Sequence, residues 1–313
     1  MNDEMATASV CIVTYNSASD IGDCLQAVWK QSFPVAAVVV VDNASADGTP
    51  DVVRALGGQV ELVCNSVNNG FAGGQNQAIG LTDSDYVLVL NPDVELHEDY
   101  LSEIIDYMEK HPGIGSATGK LVLAGAPDRM DSAGLGMRTN RQAYDLGAGE
   151  PVEAWGTTME VFGVSGAAAV YRRKMIADVS YQGQFFDEEF FAYKEDVDAA
   201  WRARHLGWTA VYLPSAKALH QRGWKKEGRR TIPLFIRRHS YQNRFFTLIK
   251  NEFPGWHWFY LLPYLILLEL VKLGYIAVFE PGLLKCWPFI IRRFPQMLHK
   301  RKWVIARKKE KKM

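Results

Sequence analysis

Asp85-Tyr-Val-Leu-Val-Leu-Asn-Pro-Asp-Val-Glu95 is the stretch on which the fold turns. Tyr86–Leu90 is an unbroken apolar run with two β-branched residues, the pattern of a central strand covered on both faces in a parallel sheet. Asn91-Pro92-Asp93 then ends the ladder, because proline has no N–H to donate. Asp93 is thereby presented beyond the strand's carboxyl end, the edge where open α/β sheets bind ligands. A carboxylate there, beside the Asn91 amide, suits a hard divalent cation shared with a diphosphate. The same residues also read as a plain turn into a helix with Glu95, Glu98 and Asp99 in its first turn.

Three strand–helix units precede this strand. Ser9–Thr14 predicts a buried strand followed by a helix from about Ser19 to Lys30. Ala37–Val41 predicts a second strand with a short helix over Thr49–Leu56, and Val60–Cys64 a third with a helix ending near Leu81. This alternation implies a doubly wound α/β sheet that is mostly parallel. A nicotinamide dehydrogenase would place its glycine fingerprint in the first strand–helix turn. That turn here is Thr14-Tyr15-Asn16-Ser-Ala-Ser-Asp20, without glycine.

Thr14-Tyr15-Asn16 and Asp42 fall at the ends of adjacent strands and can line one crevice. Asp42 is suited to accept the imide N–H of uracil or thymine, and equally to cap a turn. The glycines of Asn69-Gly70-Phe-Ala-Gly73-Gly-Gln-Asn76 allow close backbone approach to a nucleotide sugar, with Asn69 and Asn76 reading hydroxyls, or serve a tight helix–sheet contact. Together with Val13-Thr-Tyr-Asn16, Val41-Asp-Asn-Ala-Ser45, Asp47-Gly48 and Asn91-Pro-Asp93, this stretch resembles the nucleotide-sugar half of family-2 glycosyltransferases, inverting enzymes of the GT-A fold. It is most similar to their bacterial rhamnosyltransferase branch.

The resemblance covers about residues 8–222 and implies further sites. Val164-Ser-Gly166-Ala167-Ala168 is similar to the family's Gly-Ala turn on the acceptor side, which with Arg222 gives the expected acceptor contacts. The same turn also reads as a small-residue packing contact. Glu195-Asp196 matches the family's acidic pair and implies Asp196 as catalytic base. Without the family match, Asp196 would read as a helix N-cap. Phe190, Phe191 and Trp201 nearby would desolvate the carboxylate and raise its proton affinity. His220, 24 residues after Asp196, is close to the family's metal-ligating histidine. With Asp93 it implies a Mn²⁺ or Mg²⁺ site, imidazole favouring the former. Asp99–Lys110 reads as an amphipathic helix and Ile114–Leu123 as a strand. Residues 124–158 show no clear periodicity and are expected to be a mobile or substrate-covering excursion.

At 313 residues and 48% hydrophobic, the chain has ample material for a core. Its four cysteines show no CxxC spacing, and two sit within strand-like runs, which predicts reduced thiols and the cytosol; MNDEMATAS carries no secretory signal. Zero net charge conceals an asymmetry: residues 1–216 carry 30 Asp+Glu against 13 Lys+Arg, whereas residues 217–250 and 292–313 each carry 1 against 10. Two basic segments suggest an anionic membrane surface or a phosphate-bearing partner, or else a solvated face. Between them, residues 254–279 are strongly apolar yet interrupted by Pro263, Glu269 and Lys272. Each charge near a bilayer centre costs about 2.5–3.5 kcal/mol, so an interfacial or re-entrant segment is favoured over a span, with a buried helical pair as the soluble alternative.

The expectation is therefore a GT-A catalytic domain over residues 1–222, with a nucleotide-sugar half at about 8–123 and an acceptor half at about 124–222. Residues 223–313 form a helical, membrane-associating region. The implied activity is inverting transfer of a sugar, L-rhamnose from dTDP-L-rhamnose first and UDP-linked hexoses or galactofuranose second. The acceptor is a polyprenyl-pyrophosphate-linked glycan at the cytoplasmic side of a bacterial inner membrane, in polysaccharide synthesis and with no nucleic acid involved. A processive synthase would need the Gln-x-x-Arg-Trp motif, and Gln221-Arg-Gly-Trp224 lacks that spacing. A non-catalytic nucleotide-sugar-binding or scaffold protein would keep the sheet but have no use for Glu195-Asp196.

Overall fold

The computed structural model describes residues 5–221, 232–253, 255–256 and 258–311. Four parallel strands, β1 (Ala8–Thr14), β2 (Val35–Asp42), β3 (Val60–Cys64) and β4 (Tyr86–Leu90), stand in the order β3-β2-β1-β4. The apolar runs that predict them are needed because both faces are covered. Val10 and Ile12 of β1 pack with α1 (Ile21–Trp29), whereas Cys11 and Val13 pack on the opposite side with α3 (Gly70–Gly80); α2 (Thr49–Leu56) follows β2. Tyr86–Leu90 is buried along its whole length, as a central strand should be.

Past β4 the sheet is mixed. Asn91-Pro-Asp93 leads not into a helix but into a short strand, β5 (Val94–Leu96), and α4 (Tyr100–Lys110) starts later. The sequence hides β5 because three residues hold no period; it exists because β12 (Thr209–His220) offers its edge, pairing His220 with Val94. β6 (Ile114–Leu123) lies parallel to β12. The region expected to be a loose excursion is ordered: β7 (Ala126–Ser132) pairs with β6, and β8 (Leu135–Met137) with β9 (Ala143–Asp145). After β10 (Met159–Val161), β11 (Ala168–Arg172) inserts antiparallel between β4 and β6, followed by α5 (Arg173–Val179) and α6 (Glu195–His205).

The C-terminal helices α7 (Leu234–Asn251), α8 (Trp258–Phe279) and α9 (Trp287–Glu310) do not form a detached region. Buried Lys250 of α7 bridges Asp187 and Asp198, at 2.8 Å each, and Lys300 of α9 reaches the other oxygen of Asp187 at 2.5 Å. Asp198 also takes Arg202 at 2.9 Å and the Asn251 amide at 2.8 Å. Burial alone would raise the Asp187 carboxyl, but the charges of Lys250 and Lys300 outweigh it and hold it well below the usual range. Further out, Arg293 meets Glu189, while Arg307 and Lys311 meet Asp178. Arg293, Lys300, Arg307 and Lys311 of the basic tail thus meet carboxylates of the α/β body. α8 runs back along α7, with Glu269 on Arg244 at 2.7 Å and Glu280 on Arg237 at 2.6 Å. It is not the buried member of a helical pair: Phe259, Leu267, Val271 and Val278 are all more than 60% exposed.

Removing one partner of a buried ion cluster strands the others in low dielectric, so Lys250→Ala is expected to cost about 3–5 kcal/mol. Lys302→Ala, on the exposed face of α9, should stay within about 0.5 kcal/mol. Urea unfolding of both variants checks this; equal, small losses would contradict the buried cluster.

Candidate active site

The strand ends bring the predicted residues to one cleft of about 400 Å³, lined by Asn91, Asp93, Gly166, Ala167, Glu195, Asp196 and His220, and also by Asp145 and Lys194. The pairing of Leu90 with Ala168 sets the Gly166-Ala167 turn against the end of β4, where Asn91 N–H donates to Ala167 O at 2.8 Å. Gly166 N–H in turn donates to Asp196 Oδ2 at 3.3 Å. The turn therefore does more than pack small residues; it links the Asn-Pro-Asp edge to the acidic pair.

His220, the last residue of β12, is delivered to Asp93 by the β5 pairing, and Gln221 N–H donates to Asp93 O at 2.8 Å. His220 Nε2 stands 3.3 Å from Asp93 Oδ1, and Nδ1 is 2.7 Å from Asp131 Oδ2. Burial disfavours the charged ring, but the hydrogen bonds and charges of Asp131 and Asp93 prevail and raise its pKa to about 9. A ring oriented by a carboxylate on one nitrogen, with the other nitrogen beside a second carboxylate, is the usual surrounding of a metal-ligating histidine. Adjacent donors on an octahedral ion with bonds of about 2.1 Å lie about 3 Å apart, so Asp93 and His220 fit as two neighbouring ligands. Among the described residues no set of three His, Cys, Asp or Glu side chains is gathered for a metal. The remaining positions of such an ion would fall to substrate oxygens and water.

Glu195 is buried, with Oε2 lacking a hydrogen-bond partner. Burial, and then the charge of Asp196, push its carboxyl well above the usual range, so of the two it holds a proton the more tightly. Asp196 Oδ1 accepts Val197 N–H at 2.7 Å, a hydrogen bond that favours its anionic form. Its pKa is also raised, by burial first and by the charge of Asp145, against the Val197 hydrogen bond. A desolvated carboxylate on a cleft wall is chemically equipped to take a proton from a hydroxyl.

The other crevice is tightly stitched. Asp42 is 1% exposed and accepts Thr14 Oγ1 at 2.8 Å and Ser45 Oγ and N–H at 2.5 and 2.9 Å. Three of a carboxylate's roughly four acceptor positions are therefore used in turn-building. Thr14 is fully buried, whereas Tyr15 is 55% exposed; Asn16, at φ 54°, accepts Ala46 N–H and donates its own N–H to Ser45 Oγ. Asn69 is exposed at the head of α3, and a Cβ on Gly73 would come within 3.1 Å of its side chain. Gly70 is demanded twice, by φ +73° and by Phe191 O, which an added Cβ would meet at 2.4 Å. Asn76, expected to read hydroxyls, is instead committed to the chain of Phe186, donating to its O at 2.7 Å and accepting its N–H at 2.9 Å. Its amide holds the 185–191 run because α3 lies directly beneath it. Arg222 lies outside the described residues. Asp131 and Asp145 sit in the stretch that sequence reading left blank, and no local pattern marks them.

The model for "Glycosyl transferase family 2" matches residues 9–179. An N-acetylglucosaminyl-diphospho-decaprenol L-rhamnosyltransferase of Mycobacterium tuberculosis is 28% identical over 238 residues, covering 68% of this chain and 75% of the relative. Among solved structures, the mannosyltransferase PcManGT of Pyrobaculum calidifontis with GDP-Man and Mn²⁺ aligns with TM-score 0.57 and 18% identity, over 97% of this chain and 86% of its own. GalNAc-T7 with UDP, GalNAc and Mn²⁺ aligns with TM-score 0.60 and 13% identity over 80% of this chain, which spans only 49% of GalNAc-T7. At such identities the structures establish the architecture, the mixed α/β sheet of GT-A glycosyltransferases.

A carboxylate that takes a proton must be deprotonated, so with Asp196 in that role activity would fall as pH drops through its raised pKa. Asp145→Asn removes one cause of that raise, and the acidic limb of the kcat/KM profile should move to lower pH. An unmoved limb would separate Asp145 from the base.

Proposed function

The chain belongs to glycosyl transferase family 2, and on that premise we propose that it transfers a sugar with inversion from a nucleotide donor to a lipid-linked glycan. The carrying observation is that one cleft holds both the Asp93–His220 pair and the Glu195–Asp196 pair. The acceptor hydroxyl oxygen attacks the anomeric carbon, Asp196 takes its proton, and the bond to the diphosphate oxygen breaks with its electron pair on the leaving group. Glu195, kept neutral, leaves the single negative charge on Asp196. A divalent cation, Mn²⁺ or Mg²⁺, would be held by Asp93 and His220 and would supply charge stabilisation to the departing diphosphate. Asn91 and Asn69 border the donor, Tyr15 and Asn16 offer exposed turn atoms for the base, and the fourth acceptor position of Asp42 remains for its imide N–H. Gly166, Ala167 and Arg222 serve the acceptor side, within a nucleotide-sugar half at about 8–123 and an acceptor half at about 124–222.

L-Rhamnose from dTDP-L-rhamnose is the preferred donor chemistry, supported by the name of the M. tuberculosis relative, which also supports a polyprenyl-diphosphate acceptor. UDP-linked hexoses and galactofuranose are the competitors. α8 is long and apolar enough to cross a bilayer, yet its ion pairs with α7 fasten it lengthwise. We read it as lying in the interface at the cytosolic leaflet, with Trp256 and Phe259 exposed at its start.

In a transfer assay with dTDP-L-rhamnose, UDP-sugars and extracted polyprenyl-linked acceptors, Asp196→Asn should bind donor normally but turn over about 10²–10⁴-fold more slowly. Asp93→Asn should lose the enhancement of nucleotide binding by Mn²⁺. Equal effects of the two variants on nucleotide affinity would break this division of roles.

Arg293, Lys300, Arg307 and Lys311 of the tail are paired internally, so membrane attachment should be mainly apolar: sedimentation with liposomes survives high salt and is lost in Phe259→Ser/Leu267→Ser/Val271→Ser. Release of the wild type by salt alone would contradict the interfacial helix.

A further inference from the structure

The loop that delivers the acidic pair is held in an unfavourable shape. Phe191, Tyr193 and Lys194 all have positive φ, at 60°, 71° and 71°, a region that side-chain-bearing residues avoid unless their surroundings impose it. Ala192 N–H closes back on Phe190 O at 2.6 Å, a tight reversal centred on Phe191. Lys194 then starts α6, so the next two residues are Glu195 and Asp196.

One side chain secures this shape. Asn243 of α7 is fully buried, and its amide nitrogen lies 2.8 Å from Phe190 O, 2.9 Å from Ala192 O and 2.7 Å from Tyr193 O. The fourth carbonyl, Phe191 O, accepts Ala72 N–H at 3.1 Å from the opposite side. α7 is itself pinned to α6 through Lys250 and Asn251 on Asp198. The same helix therefore grips the loop before the acidic pair and the helix turn after it. Only a short, planar, neutral NH₂ group meets three converging carbonyls in so small a space; a carboxylate of the same shape would repel all of them.

We propose that Asn243 is a positioning residue for transfer, fixing Asp196 through the strained 190–194 loop although it belongs to the C-terminal helices. The proposal rests on the reading of Asp196 as the base. It separates catalysis from donor binding, because Asp93, His220 and the strand-end turns of β1 and β2 do not touch Asn243.

The test uses the full chain with Asn243→Ala, the isosteric Asn243→Asp, and Ile290→Ala, a buried α9 residue of the apolar cluster that also holds Phe190 and Phe246. Melting temperature, nucleoside-diphosphate affinity by calorimetry and kcat on the lipid acceptor are measured for each. Both Asn243 variants are expected to keep nucleotide affinity and lose kcat by about 10²-fold, the scale for misplacing a catalytic group by an ångström. Asn243→Asp should be no better than Asn243→Ala, and Ile290→Ala should lose melting temperature but not kcat. Where Asn243→Ala does not fold, Asn243→Ser, which keeps one short donor, should show the same split at smaller amplitude. Loss of kcat that merely follows melting temperature across all variants, or full kcat in a folded Asn243 variant, overturns the proposal. A wild type that transfers nothing overturns the underlying reading as well.

Discussion

Two buried carboxylates, Asp187 and Asp198, face two lysines and an arginine drawn from three helices, and the structure depends on that cluster being complete. Ions removed from water are tolerable only when each finds its partner. Lys250 and Lys300 therefore cannot leave without stranding the acids, nor can the acids remain buried without α7 and α9. This condition packs α7 and α9 of the C-terminal helices against the α/β body. It also fixes α7 next to the loop that carries Glu195 and Asp196.

From that constraint the cleft follows in order. β4 ends at Asn91, β11 inserts beside it and places Gly166-Ala167, and Gly166 meets Asp196 at the start of α6. β5 borrows the edge of β12 and sets Asp93 beside His220, which Asp131 orients from behind. Burial raises the proton affinity of both members of the acidic pair, Glu195 more than Asp196. The cleft, with the Asp93–His220 pair on one side and the Glu195–Asp196 pair on the other, is thus laid out by strand ends and not by a single motif.

Much of this was legible because it is local. An apolar run cut by Asn-Pro-Asp and a glycine cluster after a strand mark a strand end and a tight helix start within a few residues, whereas the acidic pair took its meaning from the family resemblance and would otherwise read as a helix N-cap. Asp131, Asp145 and Asn243 were not legible, since their roles come from contacts across the fold: His220 meets Asp131 from 89 residues away and Asn243 meets Phe190 from 53. Asn76 and Asp42 illustrate the reverse. Their types suit ligand contacts, yet neighbouring backbone and hydroxyls occupy most of their hydrogen-bonding capacity. The ion pairs of Arg293, Lys300, Arg307 and Lys311 with the body were likewise not legible, because a charge count does not tell a base facing an outside partner from one paired within the chain.

The most direct test of the account is the anomeric configuration of the product, read by NMR from the one-bond C1–H1 coupling of the new glycoside. A single displacement at this cleft, with Asp196 as base, gives a linkage of configuration opposite to that of the nucleotide donor. A product that retains the donor's configuration would require a second displacement, and would contradict the roles assigned here to Asp196 and Glu195.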